Sequence, residues 1–209
     1  MPPAPPTLVI GVLGGIASGK SAVARGLAGA AGVVIAADEL AHQALDAPPV
    51  LAWLRARIGP DAVGPDGHAD RARIARAVFA EGGSALRAEL EGWTHPLVRD
   101  RIRERVSAAR AAGAPRIVLD VPLLLENDAQ HGFARMCDVL VFVETPDDER
   151  ERRARSQRGW PAGEVARRES AQLSLAQKKE RAHHVIPNHR GLAELERAVA
   201  ELSARLAPR

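Results

Sequence analysis

The stretch GGIASGKS, residues 14–21, constrains the fold of this chain more than any other segment. An apolar run rich in β-branched residues precedes it at 7–15, and a segment with helical spacing follows at 20–32. The stretch matches the P-loop pattern Gly-x-x-x-x-Gly-Lys-Ser, in which glycine backbone turns several N–H groups toward one point and a helix N-terminus faces the same point. The sequence therefore predicts a strand, a phosphate-binding loop and a helix, in this order.

The lysine in this loop is notable because the chain has three lysines against 26 arginines. Lys20 is predicted to reach the β and γ phosphates of ATP, and the hydroxyl of Ser21 is predicted to bind Mg²⁺. The predicted nucleotide contacts are the residues of the loop and the first helical turn: Gly14, Gly15, Ile16, Ala17, Ser18, Gly19, Lys20, Ser21 and Ala22.

Four more strand-like runs follow the loop, separated by segments with helical spacing. They lie at 33–41, 116–125, 137–144 and 183–188. Strands that alternate with helices form a parallel sheet covered on both faces, and the functional loops of such a sheet lie at the carboxyl ends of its strands. We therefore expect an α/β fold: a three-layer α/β/α P-loop NTPase core with a five-stranded parallel sheet.

Polar residues at three strand ends are candidates for the site. Asp38 follows the second strand, which we expect to be adjacent to the first, and it either accepts a proton, binds Mg²⁺ through water, or caps the helix from Glu39 onward. Asp120 ends the third strand, where it binds Mg²⁺ through water or caps the chain locally. Asn188 ends the last strand, where it either meets the adenine base or stabilises a turn.

Composition limits the classes of partner. A net charge of +3, 3% aromatic residues and no tyrosine disfavour a nucleic-acid binder and favour an anionic small molecule. No apolar run is long enough to span a membrane. The start of the chain lacks a basic segment followed by an apolar one, so we expect a cytoplasmic protein. The length of 209 residues suits one core domain with insertions, and we expect a monomer.

Several segments together resemble one family. VIGVLGGIASGKSAVA, VIAADELAHQ, THPLV, VPLLLEN, RGW…RRESAQ and HHVIPN occur in the order and spacing of dephospho-CoA kinases, over about residues 8–206. The resemblance implies that ATP donates its γ-phosphate to the ribose 3′-hydroxyl of dephospho-CoA, the last step of coenzyme A synthesis. It also implies a nucleotide-binding core (8–39, 114–146 and 182–206), a helical acceptor-binding insertion (40–113) and a lid (147–181).

The resemblance also implies roles for single residues. Asp38 matches the carboxylate proposed as the family's catalytic base, and His95 and Glu126 lie on the acceptor side. Arg158 matches the lid arginine that stabilises the transferred phosphate, and Arg153 is the second candidate for this role and a predicted substrate contact. Glu126 either pairs with an arginine of the insertion or binds the acceptor.

Other matches extend or qualify this reading. Arg168 and Gln172 match a lid spacing that would put both on one helical face. Ala36 stands where the family often has Asp, so that carboxylate is either not essential here or replaced by Asp120.

Two alternatives remain at this stage. The first is another small-metabolite P-loop kinase, such as a shikimate or nucleoside kinase, in which the His-Pro and Pro-Leu-Leu-x-Glu segments would have no reason to occur. The second is a non-catalytic switch or RNA-binding protein that depends on a nucleotide, which would bind the nucleotide without transferring phosphate.

Overall fold

A five-stranded parallel sheet forms the centre of the fold in the computed structural model, which describes residues 7–207. The start of the chain, residues 1–6, lies outside the described part. The strands are β1 (Leu8–Gly14), β2 (Val33–Ala36), β3 (Arg116–Asp120), β4 (Val139–Glu144) and β5 (His184–Pro187), in the order β2-β3-β1-β4-β5. The predicted α/β fold and its five parallel strands are confirmed.

The central strand is apolar on both faces because helices cover the sheet on both sides. In β1, Val9, Ile10, Val12 and Leu13 are buried. This strand pairs with β3 on one side and with β4 on the other. The expectation that the second strand lies beside the first is therefore wrong, since β3 lies between β1 and β2. β2 is also shorter than predicted, because helix α2 begins at Ala37.

The chain divides into two compact units, and α5 (Ser84–Ala111) runs from one into the other. The first unit takes in the chain up to Ala36 and from Val106 onward, and it contains the sheet. Its longer helices are α1 (Lys20–Ala28), α7 (Asp147–Arg158) and α10 (Leu192–Arg205).

Helices α1 and α10 pack together over one face of the sheet. Val23 and Leu27 of α1 share a buried cluster with Val199 and Leu202 of α10. The helices approach closely at Gly26, where an added Cβ would come within 2.6 Å of Val199. The packing holds the N-terminus of α1, and with it the end of the phosphate loop, against the sheet.

The second unit, Ala37–Arg105, is helical. It contains α2 (Ala37–Leu45), α3 (Pro48–Arg57), α4 (Arg71–Val78) and most of α5, packed around Val50, Leu54, Ile74 and Val78. Asp70 caps α4 by accepting a hydrogen bond from the N–H of Arg73. Along α5, the side chains of Val98, Ile102, Val106 and Ala109 are buried.

The segment 147–181 contains three helices. Helix α7 ends at Gly159, which adopts a left-handed conformation, and α8 (Glu164–Glu169) begins after Gly163, which does the same. Ser174 and Gln177 then form a capping box that starts α9 (Leu175–Glu180). A short helix α6 (Asp128–His131) follows β3. Within residues 7–207, no helix is both long and apolar enough to cross a bilayer.

Candidate active site

The phosphate loop begins where β1 ends and closes where α1 begins. Its backbone has positive φ at Gly14 (150°), Ala17 (58°) and Gly19 (92°), which turns successive peptide groups toward a common point. A Cβ at Gly19 would come within 2.4 Å of the Asn188 side-chain nitrogen. Glycine at this position therefore meets both a backbone requirement and a close approach.

The Lys20 side chain folds back over this loop. Its Nζ donates hydrogen bonds to the carbonyl oxygens of Gly14 at 3.2 Å and Gly15 at 2.8 Å. The ammonium thus lies inside the curve of the loop, where it faces neutral carbonyl groups. A bound phosphate would supply the negative charge that compensates the ammonium, which the neutral carbonyl groups do not.

The electrostatic surroundings of Lys20 disfavour its charge. Burial lowers the pKa of Lys20 to about 8. The carboxylates of Asp120 and Glu169 act in the opposite direction, and the cations Lys178 and Arg158 lower the pKa further. A partly buried cation with too little compensating charge favours the binding of an anion.

The two predicted Mg²⁺ ligands lie together. The Ser21 hydroxyl donates a hydrogen bond to Asp120 Oδ2 at 2.5 Å. Asp120 ends β3, the strand directly beside β1, and this position brings its carboxylate to the start of α1. A hydroxyl and a carboxylate are hard oxygen donors of the kind that Mg²⁺ prefers, so the pair fits this ion.

Ala36 stands where the family resemblance led us to expect an acidic residue, and Asp120 lies beside it in the sheet. Ala36 pairs with Asp120 across β2 and β3. Residues opposite each other in a parallel pair present their side chains on the same face. The Asp120 carboxylate therefore lies on the face of the sheet to which an acidic residue at 36 would also point.

Asn188 and Arg153 brace the other side of the loop. Asn188 is buried, and its Nδ2 donates to the carbonyl of Ser18 at 2.8 Å. Arg153 of α7 donates to the backbone and side-chain oxygens of Asn188 at 3.3 and 3.4 Å. Thr145 Oγ1 donates to the same Ser18 carbonyl at 3.0 Å. Arg153 also reaches the Ser18 carbonyl, at 3.5 Å, and its predicted contact with the substrate stays a prediction.

Arg158 lies at the last residue of α7 and is exposed. Its guanidinium lies 5.0 Å from the ring centroid of Trp160, and the guanidinium of Arg168 lies 4.1 Å from the same ring. The predicted shared face of Arg168 and Gln172 is wrong, because α8 ends at Glu169 and Gln172 lies beyond it.

Glu126 has a partner that the sequence did not predict. Lys178 of α9 contacts Glu126 Oε1 at 2.8 Å and donates to Gln172 Oε1 at 2.9 Å. Both charged side chains are nearly buried, at 5% and 13% exposure. An arginine of the insertion, one of the two partners predicted for Glu126, stays a prediction. The scarcity of lysine was the one sequence signal that could have singled out Lys178.

A second buried ion pair was also missed. Glu169 of α8 and Arg150 of α7 contact each other at 2.7 Å, and Arg150 is only 3% exposed. Both contact the phosphate loop at Ile16. Nothing in the run DDERERRARSQR distinguishes Arg150 from the other arginines of this segment, so sequence reasoning could not have found it.

Two predicted site residues belong to the helical unit. Asp38 is exposed in the first turn of α2, and His95 is exposed in the middle of α5. The alternative role of Asp38 as the cap of a helix from Glu39 onward is wrong, because α2 begins at Ala37, before Asp38. The loop residues, Asp120, Asn188, Arg153 and Arg158 lie in the unit that contains the sheet.

Comparisons with known proteins agree with this arrangement. The family model for dephospho-CoA kinase matches residues 8–194. A dephospho-CoA kinase from Thermobifida fusca is 37% identical over 196 residues, which are 93% of this chain and 94% of the relative. A crystal structure from Thermus thermophilus, 35% identical, matches 98% of this chain and 100% of its own with a TM-score of 0.71.

A more distant structure shares the fold. The dephospho-CoA kinase from Campylobacter jejuni is 20% identical and has a TM-score of 0.70 over 96% of this chain and 98% of its own. The family match itself begins in β1, passes through the phosphate loop and the helical unit, and ends in α10. The resemblance predicted from the sequence motifs is thereby confirmed, and the chain belongs to the dephospho-CoA kinase family.

Proposed function

We propose that this chain transfers the γ-phosphoryl group of ATP to the ribose 3′-hydroxyl of dephospho-CoA, giving coenzyme A and ADP. The observation that carries the proposal is the phosphate loop with Lys20 folded into it, in a chain whose family match covers residues 8–194. The family makes the chain a kinase, and therefore a transferase that uses a nucleotide. The roles given below to single residues are our proposals.

The phosphates of ATP are proposed to lie in the loop of residues 14–21. The positive φ angles of the loop, the N-terminus of α1 and the undercompensated charge of Lys20 all favour an anion there. Arg153 and Asn188 are proposed to line the nucleotide side, since both contact the Ser18 carbonyl of the loop. The contact of Asn188 with adenine stays a prediction.

Ser21 and Asp120 are proposed to hold Mg²⁺, Asp120 through a water molecule. Their short hydrogen bond supports this, because the two oxygens are already together at the end of the loop. The ion, when bound, would screen the negative charge that develops on the phosphate oxygens. Asp120 would also supply the carboxylate that Ala36 lacks.

The acceptor is proposed to meet Asp38. As the 3′-oxygen bonds to the γ-phosphorus, Asp38 accepts the hydroxyl proton, and the bond from that phosphorus to the β–γ bridging oxygen breaks to release ADP. The exposed His95 of α5 is proposed to donate a hydrogen bond to the acceptor. Glu126 is better suited to holding α9 through Lys178 than to binding the acceptor.

Arg158 is proposed to stabilise the transferred phosphoryl group. Its positive charge already acts on Lys20, which supports a position facing the phosphates. The segment 147–181 is proposed to act as the lid, and 40–113 as the acceptor-binding insertion. The cytoplasmic location and the monomeric state expected from the sequence stay predictions.

The test is a panel of acceptors. ADP release from Mg-ATP is measured with dephospho-CoA, adenosine and shikimate offered separately, and the products are weighed by mass spectrometry. We expect phosphate to be added to dephospho-CoA alone and the Lys20→Ala variant to be inactive. Transfer to a different acceptor, or nucleotide binding without any transfer, would contradict the proposal.

A further inference from the structure

The third residue of the phosphate loop is held at both of its backbone polar groups. The N–H of Ile16 donates to Glu169 Oε1 at 2.6 Å, and the Ile16 carbonyl accepts from Arg150 Nη1 at 3.3 Å. The same Arg150 nitrogen donates to Glu169 Oε1 at 2.7 Å. The ion pair thus holds both peptide groups that flank Ile16, and these hydrogen bonds fix the orientation of the loop there.

The pair is built into the loop rather than lying on its surface. Arg150 is 3% exposed and Glu169 is 15% exposed. A Cβ on Gly15 would come within 2.6 Å of Arg150 Nη1 and 2.8 Å of Glu169 Oε1. The absence of a side chain at this loop position therefore makes the room that the pair occupies.

The contacts at Ile16 do not engage the other backbone N–H groups of the loop that could bind a phosphate. The N–H groups of Ala17 and Gly19 have no acceptor among residues 7–207, whereas that of Ile16 is fully engaged. Arg150 compensates the negative charge of Glu169, and the side chain of Asp147, which also contacts Arg150 at 2.7 Å, is 86% exposed, so that water screens its charge. The pair therefore fixes the loop without presenting a net negative charge to a phosphate.

We propose that Arg150 and Glu169 are positioning residues for phosphoryl transfer: together they hold the phosphate loop in its binding shape and tie helices α7 and α8 to it. This inference rests on the proposed function. Helix α7 also carries Arg153 and Arg158, and α8 carries Arg168, which shares the Trp160 ring with Arg158. Fixing both helices on Ile16 sets the position of these guanidiniums relative to the loop, and transfer rates are sensitive to such placement.

The experiment separates positioning from stability. Glu169→Gln keeps an oxygen that can accept from Ile16, whereas Glu169→Ala removes it. The double variant Arg150→Met with Glu169→Leu removes both charges at once and replaces them with apolar groups, a change that buried ion pairs often tolerate without loss of stability. Arg152→Met is the matched control, because Arg152 lies on the same helix with 67% of its side chain exposed, pairs with Glu149 and does not contact the loop. For each variant we would measure kcat, the KM for ATP, the Kd for ADP by calorimetry, and Tm.

We expect kcat to fall by roughly 10- to 100-fold in Glu169→Ala, less in Glu169→Gln, and to stay low in the double variant although its Tm is close to that of the wild type. The Kd for ADP should rise in Glu169→Ala and in the double variant. Arg152→Met should stay within about twofold of the wild type in every quantity. Should Glu169→Ala fail to fold, Glu169→Gln and the double variant decide the question.

Two results would overturn the inference. Wild-type kcat in a folded double variant would make the pair purely structural. Tighter ADP binding in Glu169→Ala would mean that the carboxylate blocks the site. If the wild type fails to phosphorylate dephospho-CoA, the proposed function fails, but ADP titration of the same variants still tests whether the pair shapes the loop.

Discussion

The lowered pKa of Lys20 predicts that nucleotide binding takes up a proton. With a pKa of about 8, roughly half of the unliganded molecules carry a neutral Lys20 at pH 8. Phosphate oxygens beside Nζ favour the ammonium and raise its pKa again. Binding ADP at pH 8 should therefore take up about half a proton per site, and the affinity should fall about fivefold between pH 8 and pH 9.

The assay is titration calorimetry of ADP at pH 8 in two buffers with different ionisation enthalpies. The slope of the observed enthalpy against the buffer enthalpy gives the number of protons taken up. The control is the Lys20→Arg variant. Because arginine stays charged across this pH range, ADP binding to this variant should take up no proton. A wild-type slope of zero, or an equal slope in Lys20→Arg, would refute the reasoning.

Four further substitutions test the other assignments. Asp38→Asn should reduce kcat at least about 100-fold with little change in ADP affinity, and near-normal turnover would remove its role as base. Asp120→Asn should raise the Mg²⁺ concentration needed for half-maximal rate, and an unchanged Mg²⁺ titration would exclude it from the ion's site. Arg158→Ala should lower kcat more than it raises the KM for dephospho-CoA; the reverse pattern would place it outside the reacting centre. Lys178→Met should lower the free energy of unfolding by about 3 kcal/mol, since it leaves Glu126 buried without its partner. Denaturant unfolding measures this change, and an unchanged midpoint would show that the ion pair does not stabilise the fold.

The elements around the nucleotide were predictable because their signals are local. An apolar run, a glycine-rich turn and a helical segment follow each other within residues 7–32, and the structure has β1, the loop and α1 there. Asp120 was also identifiable, since a carboxylate at the end of a buried parallel strand lies at the functional edge of the sheet.

The strand order was not predictable in the same way. Buried parallel strands are all apolar runs, so their sequences do not say which one pairs with β1. Sequence proximity favoured β2 as the neighbour, but β3 takes that place after a long helical excursion. As a consequence Asp120, and not a residue after β2, pairs with Ser21 of the loop.

Side-chain partners within the charged segment depend on the phase of each helix. Arg150, Arg153 and Arg158 occur on the single helix α7, yet one is buried against Glu169, one contacts Asn188 and one stacks on Trp160. Only the packed structure separates these roles. The left-handed glycines Gly159 and Gly163 both lie between α7 and α8, where they separate these two helices.

The most direct test of the central claim is the position of the new phosphate. Purified enzyme, Mg-ATP and dephospho-CoA are incubated, and the product is examined by mass spectrometry and by phosphorus–proton correlation NMR. The account predicts one added phosphate, a phosphomonoester coupled to the ribose proton at C3′, with one ADP formed per product. A phosphate at any other hydroxyl, or ADP formed without a phosphorylated acceptor, would contradict it.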